Sequence, residues 1–260
     1  MALAAFNVFD FDGMRAVADA AGEVHLPVYM QFSASTVKYY GAETIKQLLN
    51  VASGDNRKLI KVHLDHCNDL DLIKNCIKND WDSVMGDFSN LSISENIKNM
   101  LKIKALVGKR FVEIEGELGQ VAGVEDGHGE DGGSYVELEE VKRFIDETNI
   151  ELLAVGIGNA HGFYSSTDSI DINLLKKVYN KIPDQKLVLH GGTGIEPEKI
   201  IEMKCYGIYK INVSTELKDV YLKASKVHLE SNKKFEMISL VNNRYESVKN
   251  MAKRKILEFK

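Results

Sequence analysis

Proline and cysteine are scarce in this chain: its 260 residues include three of each, with a single tryptophan. So few prolines exclude a proline-rich linker between domains. The three cysteines, Cys67, Cys76 and Cys205, are odd in number and unclustered, so they do not suggest a disulfide framework. Such cysteine usage is typical of a reduced cytoplasmic protein, and that is the location we expect.

Long apolar runs are also missing. No stretch reaches the roughly 20 residues of a membrane-spanning helix, and the N-terminus lacks the charge pattern of a signal peptide. Acidic residues outnumber basic ones by 38 to 33, and the resulting net charge of −5 disfavours binding to polyanions. We therefore expect neither a membrane nor a nucleic acid as a partner. An anionic substrate must then be held locally, by backbone amides or single lysines.

The chain does contain a regular alternation of short apolar runs and stretches with apolar residues at helical spacing. Hydrophobic residues make up 44% of the composition, which is enough for a sizeable core. The apolar runs predict strands over residues 3–8, 27–32, 59–64, 83–85, 111–115, 152–157, 186–189 and 208–211. Eight strand–helix repeats predict an α/β fold, a (β/α)8 TIM barrel forming one domain over residues 1–260. An additional C-terminal helical tail is expected from residue 233.

Unusual polar residues stand at the carboxyl ends of these predicted strands, each on a different strand. They are Asn7, Ser33, Asp65 with His66, Asp87, Glu117, His161, His190 and Asn212. Barrel enzymes build their active sites on this face, whereas ordinary surface residues would be distributed over both ends. The pattern therefore indicates an enzyme.

Three of these residues are histidines, and each follows a buried-looking strand. Three neutral imidazoles with a fourth position open to substrate are the ligand set of a catalytic zinc site. We therefore predict Zn²⁺ bound by His66, His161 and His190. The adjacent Asp65 would be a proton-transfer group near whatever the metal polarises.

Two neighbours of this motif have more than one interpretation. Cys67 is either a fourth, soft metal ligand or a buried thiol at a helix start. His63 either points away from the metal or lies behind it and orients a ligand.

Two loops predict a phosphate pocket. Glycines after the seventh strand would let backbone N–H groups approach an anion, and the loop after the eighth strand leads into a helix N-terminus. The residues concerned are Gly191, Gly192, Thr193 and Gly194 in one loop and Asn212, Val213, Ser214 and Thr215 in the other. Ordinary turns are the alternative. Lys210 either adds a cationic contact to the phosphate or is a strand residue that points to solvent.

Taken together, these stretches resemble the class II, metal-dependent fructose-bisphosphate and tagatose-bisphosphate aldolase family. The resemblance runs from about residue 3 to about residue 220, in the order of the family. The matching residues are 5–8 (AFNV), 63–66 (HLDH), 83–85 (SVM) with Asp87 and Ser89, 95–97 (ENI), Glu113 with 115–119 (EGELG), 153–155 (LAV) with Gly158, Asn159, His161 and Gly162, 187–192 (LVLHGG), and Gly207 and Ile208 with 210–213 (KINV).

The resemblance implies roles for individual residues. It implies that the three histidines bind zinc, that Asp65 is the acid/base on the substrate hydroxyl, and that Glu125 in a mobile lid moves the proton of the triose carbon. Asp87 and Glu117 match carboxylates that can hold the metal in an alternative position, and a monovalent cation, Na⁺ or K⁺, is often nearby. Residues implied to contact the phosphorylated sugar are Asn7, Ser33, Gly162, Gly191 to Thr193 and Asn212 to Thr215.

The implied activity is reversible cleavage of a ketose 1,6-bisphosphate, fructose or tagatose, to dihydroxyacetone phosphate and glyceraldehyde 3-phosphate, a step of glycolysis or related carbohydrate metabolism. The family also implies a homodimer or homotetramer. Two departures are Thr193, where serine is commoner, and the short stretch before Leu3, where members usually have a helix.

Three alternatives stay open. The chain could cleave another phosphorylated ketose or deoxyketose. It could be a non-catalytic family member that serves as a partner subunit. It could also be a barrel aldolase that forms a Schiff base through Lys210, although this would leave the three histidines unexplained.

Overall fold

Eight parallel strands close into a barrel in the computed structural model, which describes residues 1–123, 133–164, 167–231 and 233–260. Every strand pairs with the next along the chain, and the last pairs with the first. The strands are β1 (Leu3–Asn7), β2 (Val28–Ser33), β3 (Ile60–Asp65), β4 (Ser83–Gly86), β5 (Glu113–Leu118), β6 (Leu152–Val155), β7 (Lys186–Leu189) and β8 (Ile208–Val213). The predicted TIM barrel is confirmed.

Amphipathic helices surround the barrel and bury their apolar faces against the strands. In the described part of the chain they are α1 (Phe11–Val24), α2 (Ala34–Tyr40), α3 (Ala42–Ser53), α4 (Leu70–Lys78), α5 (Ile93–Val107), α6 (Leu138–Thr148), α7 (Ile172–Lys181), α8 (Pro197–Lys204), α9 (Thr215–Leu229) and α10 (Met237–Phe259). Polar caps fix where helices begin: Asp10 accepts from the N–H of Gly13 at α1, and Ser92 and Glu95 form a capping box at α5.

The C-terminal helix expected after the barrel is confirmed as α10, which packs against α1 and α9. Its apolar residues Met251, Ile256 and Phe259 are buried, and the carbonyl of Phe259 accepts from the N–H of Ala2 at 3.0 Å. The two chain ends are thereby joined beneath the barrel. Across the residues that the structure describes, no helix has both the length and the apolar character to cross a membrane.

Two elements differ from the sequence prediction. The fifth strand was expected over residues 111–115 but runs from Glu113 to Leu118, and Phe111 is fully exposed before it. The apolar run predicted this strand too early in the chain because the residues of the strand that point into the barrel are acidic rather than apolar. The short helix α2 was not predicted; it follows β2 without a loop because Ser33 ends the strand and caps the helix through the N–H of Thr36.

Every second residue of β5 points into the barrel because a strand is pleated. The three inward residues are Glu113, Glu115 and Glu117. Glu113, near the floor, accepts hydrogen bonds from Tyr29 at 2.6 Å and Lys61 at 2.9 Å. Glu115 lies one layer higher, and Glu117 reaches the carboxyl face. The barrel interior therefore contains polar side chains at several heights, together with a small apolar cluster.

Candidate metal centre and active site

Three loops bring the predicted histidines together at the carboxyl face. His66 follows β3, His190 follows β7, and His161 lies in the loop after β6, where its N–H donates to the carbonyl of Ala122 at 2.8 Å. Ligand nitrogens of the three rings all lie within 4.8 Å of one another. His66 and His190 are buried, and His161 is partly buried. The structure thus assembles the three imidazoles as the strand positions predict.

Carboxylates fix which nitrogen of two of these rings faces the centre. Nδ1 of His66 lies 2.7 Å from Asp87, and Nε2 of His190 lies 2.9 Å from Glu115. Because each carboxylate accepts a proton from the ring nitrogen that it meets, the other nitrogen of each ring is left with its lone pair. Those two nitrogens, Nε2 of His66 and Nδ1 of His190, lie 2.7 Å apart.

Two facing lone pairs are stable only when a proton or a metal ion lies between them or beside them. This arrangement fits a bound divalent cation, since imidazoles supported by carboxylates are the usual zinc environment. The acidic side chains around His66 also favour a positive charge at this centre. Burial opposes protonation of His66, but Asp65 and Asp87 outweigh it and raise the pKa of His66 well above its usual value.

A second potential donor group consists of His66, Asp87 and Glu117, and the family resemblance implied its two carboxylates as an alternative metal position. Oε2 of Glu117 lies 4.0 Å from Nδ1 of both His66 and His190, and it has no hydrogen-bond partner among the described residues. Burial, and then the charge of Asp87, raises the pKa of Glu117 to about 8. The other oxygen, Oε1, accepts from the N–H of Val121 at 3.4 Å, so Oε2 is the buried oxygen that is suited to a cation.

Asp65 is held at the edge of this centre by amides. Its Oδ2 accepts from Nδ2 of Asn7 at 2.7 Å, and its Oδ1 accepts from Nδ2 of Asn212 at 3.4 Å. Asn7 is held in turn by Gln31, whose Nε2 donates to Asn7 Oδ1 at 2.6 Å. The sequence interpretation missed Gln31, although it lies two residues before Ser33 on β2 and therefore shares its inward face. Asp65 is thus oriented by groups that do not carry charge.

The two loops predicted to bind phosphate, the glycine-rich loop after β7 and the polar loop after β8, are adjacent. The N–H of Gly192 donates to the carbonyl of Asn212 at 2.8 Å, and Thr193 Oγ1 accepts from the N–H of Glu216 at 3.3 Å. The hydroxyl of Ser214 is buried and has no partner among the described residues. Since α9 begins at Thr215, its N-terminal amides and this hydroxyl form a site with the chemistry of an anion pocket.

Tyr164 joins this pocket to the loop that carries His161 and Gly162. Its hydroxyl donates to the carbonyl of Gly191 and accepts from the N–H of Ala160, both at 2.9 Å. Gly191 has φ +70 and its backbone lies against Ala160, so only glycine fits there.

Lys210 lies elsewhere than both sequence interpretations supposed. Its side chain is fully buried inside the barrel, and its ammonium donates to Glu115 at 2.7 Å and to Nε2 of His63 at 3.2 Å. It therefore neither points to solvent nor lines the phosphate loops. The reason is strand alternation, because Lys210 shares the inward face of β8 with Asn212. Its burial and its hydrogen bonds to Glu115 and His63 also disfavour a Schiff base between Lys210 and a substrate carbonyl.

The remaining predicted residues divide into three cases. Ser33 is buried beside Asn7, and both line a cavity of about 300 Å³ whose other walls include Phe9, Lys218 and Tyr221. The thiol of Cys67 is buried and donates to the carbonyl of Asp69, and among the described residues it does not belong to the donor groups that converge around His66, so it is a buried thiol at a helix start. Glu125 and its expected lid fall within residues 124–132, outside the described residues.

Comparison with known proteins finds a matching family model and solved structures of the same fold. The family model described as "Fructose-bisphosphate aldolase class-II" matches residues 1–260. The crystal structure of the YdjI aldolase from Escherichia coli K12 superposes with a TM-score of 0.85 at 26% identity, covering 99% of this chain and 91% of that chain. A fructose-bisphosphate aldolase from Campylobacter jejuni gives a TM-score of 0.83 at 21% identity, covering 99% and 90%, and supports the fold.

Proposed function

The chain belongs to the class II fructose-bisphosphate aldolase family, and from this premise we propose that it is a zinc-dependent aldolase that cleaves fructose or tagatose 1,6-bisphosphate. Membership makes it a metal-dependent lyase that acts on a phosphorylated sugar. The observation that carries the proposal is the pair of facing nitrogens on His66 and His190, with His161 beside them and a carboxylate behind each of the pair.

The metal-binding residues in this proposal are His66, His161 and His190, with Asp87 and Glu117 as the alternative position. Bound there, zinc would supply Lewis acidity to the oxygens of the ketose. Asp87 and Glu115 orient the rings of His66 and His190, and Glu117 would add a negative charge once it has released its proton to make room for the metal ion.

Asp65 is the proposed base. In the cleavage direction its carboxylate takes the proton of the C4 hydroxyl as the C3–C4 bond breaks, so that C4 becomes the aldehyde carbon. The electron pair of the broken bond remains with the dihydroxyacetone phosphate half. A proton must then be added at C3, and Glu125 is the group that we propose for this step. Asn7 and Asn212 hold Asp65 so that it meets this hydroxyl.

The phosphate of the dihydroxyacetone half would be bound by Gly162, Gly191, Gly192 and Thr193 together with Asn212, Val213, Ser214 and Thr215. Backbone N–H groups, the hydroxyl of Ser214 and the N-terminus of α9 are the donors that support this assignment. A monovalent cation, Na⁺ or K⁺, near these loops is part of the same proposal. The cation is tested by comparing the rate of ketose bisphosphate cleavage in sodium, potassium and tetramethylammonium salts.

The first test uses the purified chain stripped with a chelator and assayed on fructose and tagatose 1,6-bisphosphate before and after zinc is restored. We expect activity to disappear on chelation and to return with one equivalent of zinc. Activity that is unaffected by chelation would overturn the proposal. Zinc binding without cleavage of either bisphosphate would instead favour another phosphorylated ketose, and zero turnover with all ketose phosphates would favour a partner-subunit role.

A matched control for these assays is His25→Asn. His25 is exposed at the end of α1 with a left-handed backbone, which asparagine tolerates, so this change removes a histidine without touching the site. Its zinc content and rate should equal those of the unaltered chain. Sedimentation in the same buffer tests the predicted homodimer or homotetramer.

A further inference from the structure

A buried chain of polar groups lies directly beneath the metal centre, and three of its members, Ser83, His63 and Lys210, have no part in the proposed reaction. It runs from Ser83 to His63 on the neighbouring strand, and then through Lys210 and Glu115 to His190, across the barrel between strands that are not neighbours. All five side chains are fully buried. Burying an ion pair costs free energy, so a pair retained at the barrel centre calls for a reason.

Each link of the chain has one direction of donation. An ammonium can only donate, so His63 must present a lone pair at Nε2 to Lys210, and its Nδ1–H then donates to Ser83 at 2.8 Å. The remaining face of the ammonium meets the ring of Tyr29, 5.3 Å from the centroid. Lys210 is thus enclosed by a carboxylate, an imidazole and an aromatic ring.

The two oxygens of Glu115 are used separately. Oε2 accepts from Lys210 at 2.7 Å, and Oε1 accepts from Nε2 of His190 at 2.9 Å. Lys210 therefore determines the rotation of the carboxylate, and the carboxylate determines which nitrogen of His190 carries the proton. The nitrogen left with a lone pair is Nδ1, which faces His66 at 2.7 Å.

We propose that Lys210 and Glu115 form a positioning pair that holds Nδ1 of His190 toward the metal, and that Lys210 is not a phosphate ligand. The inference rests on the proposed metal site and adds to it a residue that acts through another. Lys210 touches neither substrate nor metal. Its contribution is to keep Glu115 rotated so that it meets Nε2 of His190 and fixes the tautomer of the ring.

The experiment compares Lys210→Met, the double variant Lys210→Met with Glu115→Gln, and Lys61→Met. Lys61 is the matched control because it pairs with Glu113 at 2.9 Å one layer lower in the same barrel and has no hydrogen bond to a histidine among the described residues. The double variant is included because Lys210→Met leaves a buried carboxylate without its cation and could fail to fold. Zinc affinity is measured by competition with a chromophoric chelator, and the visible spectrum is recorded with cobalt in place of zinc.

We expect both Lys210 variants to bind zinc 10- to 100-fold more weakly, with an altered cobalt spectrum, while Lys61→Met binds normally. At saturating zinc, the KM for the ketose phosphate should change less than threefold. Normal zinc affinity in both Lys210 variants with a tenfold higher KM would overturn the proposal in favour of phosphate binding. Borohydride trapping of substrate on Lys210 would overturn it in favour of a Schiff base. Metal affinity is measured without substrate, so this experiment would still test the positioning pair if the proposed substrate proved wrong.

Discussion

Nε2 of His66 lies 2.7 Å from Nδ1 of His190, although the opposite nitrogen of each ring already donates to a carboxylate. The metal-free protein can satisfy this contact only by keeping a proton on one of the two facing nitrogens. The centre is therefore built for a positive charge in either state, and a metal ion must displace that proton when it binds.

The first prediction concerns that proton. The pKa of His66 is raised well above its usual value and that of Glu117 to about 8, so at pH 7 the metal-free centre holds protons that zinc must expel. Groups whose pKa is raised are protonated below that pKa, so apparent zinc affinity should fall as the pH is lowered from 8 to 6. Calorimetry in two buffers of different ionisation enthalpy should report proton release. A binding enthalpy identical in both buffers would contradict this.

The second prediction concerns Asp65. Replacing it with asparagine keeps its size but removes the base, so kcat should fall about 10²- to 10⁴-fold while zinc content and stability are retained. Asn7 can still donate to the oxygen of the new amide, and Asn212, whose Oδ1 has no partner among the described residues, can turn to accept from the new N–H. The loss would therefore report chemistry rather than folding.

The control for this change is Asp55→Asn, which alters an exposed carboxylate in the turn before β3. It should leave kcat within twofold of the unaltered chain. An Asp65→Asn enzyme with comparable kcat would remove Asp65 from the mechanism.

Much of this site could be predicted because the strand ends are marked in the sequence. Asp65, His66 and His190 each stand where an apolar run stops, and the carboxyl ends of parallel strands meet at one face. Adjacent strand residues normally point to opposite sides, yet Asp65 and His66 both enter the site because His66 has φ +40. That backbone conformation is not visible in the residue types.

The polar side chains inside the barrel were harder to predict because strands were predicted from runs of apolar residues. Glu113, Glu115 and Glu117 alternate through β5 and point inward, so the strand looked polar and was placed too early. Lys210 was misassigned for the same reason: a lysine in a strand suggests solvent or a ligand, and its partner Glu115 is distant in the sequence. Counting polar residues at a period of two would have indicated the polar interior.

The third prediction compares two glycines of the loop after β7, which we propose to bind phosphate. Gly191 and Gly194 both have positive φ, but a Cβ at Gly191 would overlap the carbonyl of Ala160, whereas none of the described atoms lies within 4 Å of a Cβ at Gly194. Gly194→Ala should cost only the backbone strain, about 1–2 kcal/mol of unfolding free energy. Gly191→Ala should cost clearly more, and it should raise the KM for phosphorylated substrate because the loop must move. Urea unfolding and steady-state kinetics measure both, and equal losses in the two variants would count against this packing argument.

The last prediction concerns the far end of the substrate. Asn7 contacts Asp65, and Asn7 and Ser33 both line the cavity of about 300 Å³. The carbons of the ketose beyond C4 should therefore extend into this cavity. Lys218 is the cation on its wall, on the first turns of α9, and the neighbouring Tyr221 is held by Asp10 at 2.7 Å.

Lys218→Met should therefore raise the KM for a ketose 1,6-bisphosphate about tenfold, equivalent to about 1.4 kcal/mol, because a charge-assisted contact to the second phosphate is lost. The KM for the corresponding 1-phosphate should change less than threefold, since that substrate lacks the group. Lys223→Met is the matched control, because Lys223 lies on the same helix, is exposed and pairs with Asp219. Equal effects of Lys218→Met on both substrates would mean that the second phosphate binds elsewhere, whereas a selective effect identifies the cavity as the site of the aldehyde half.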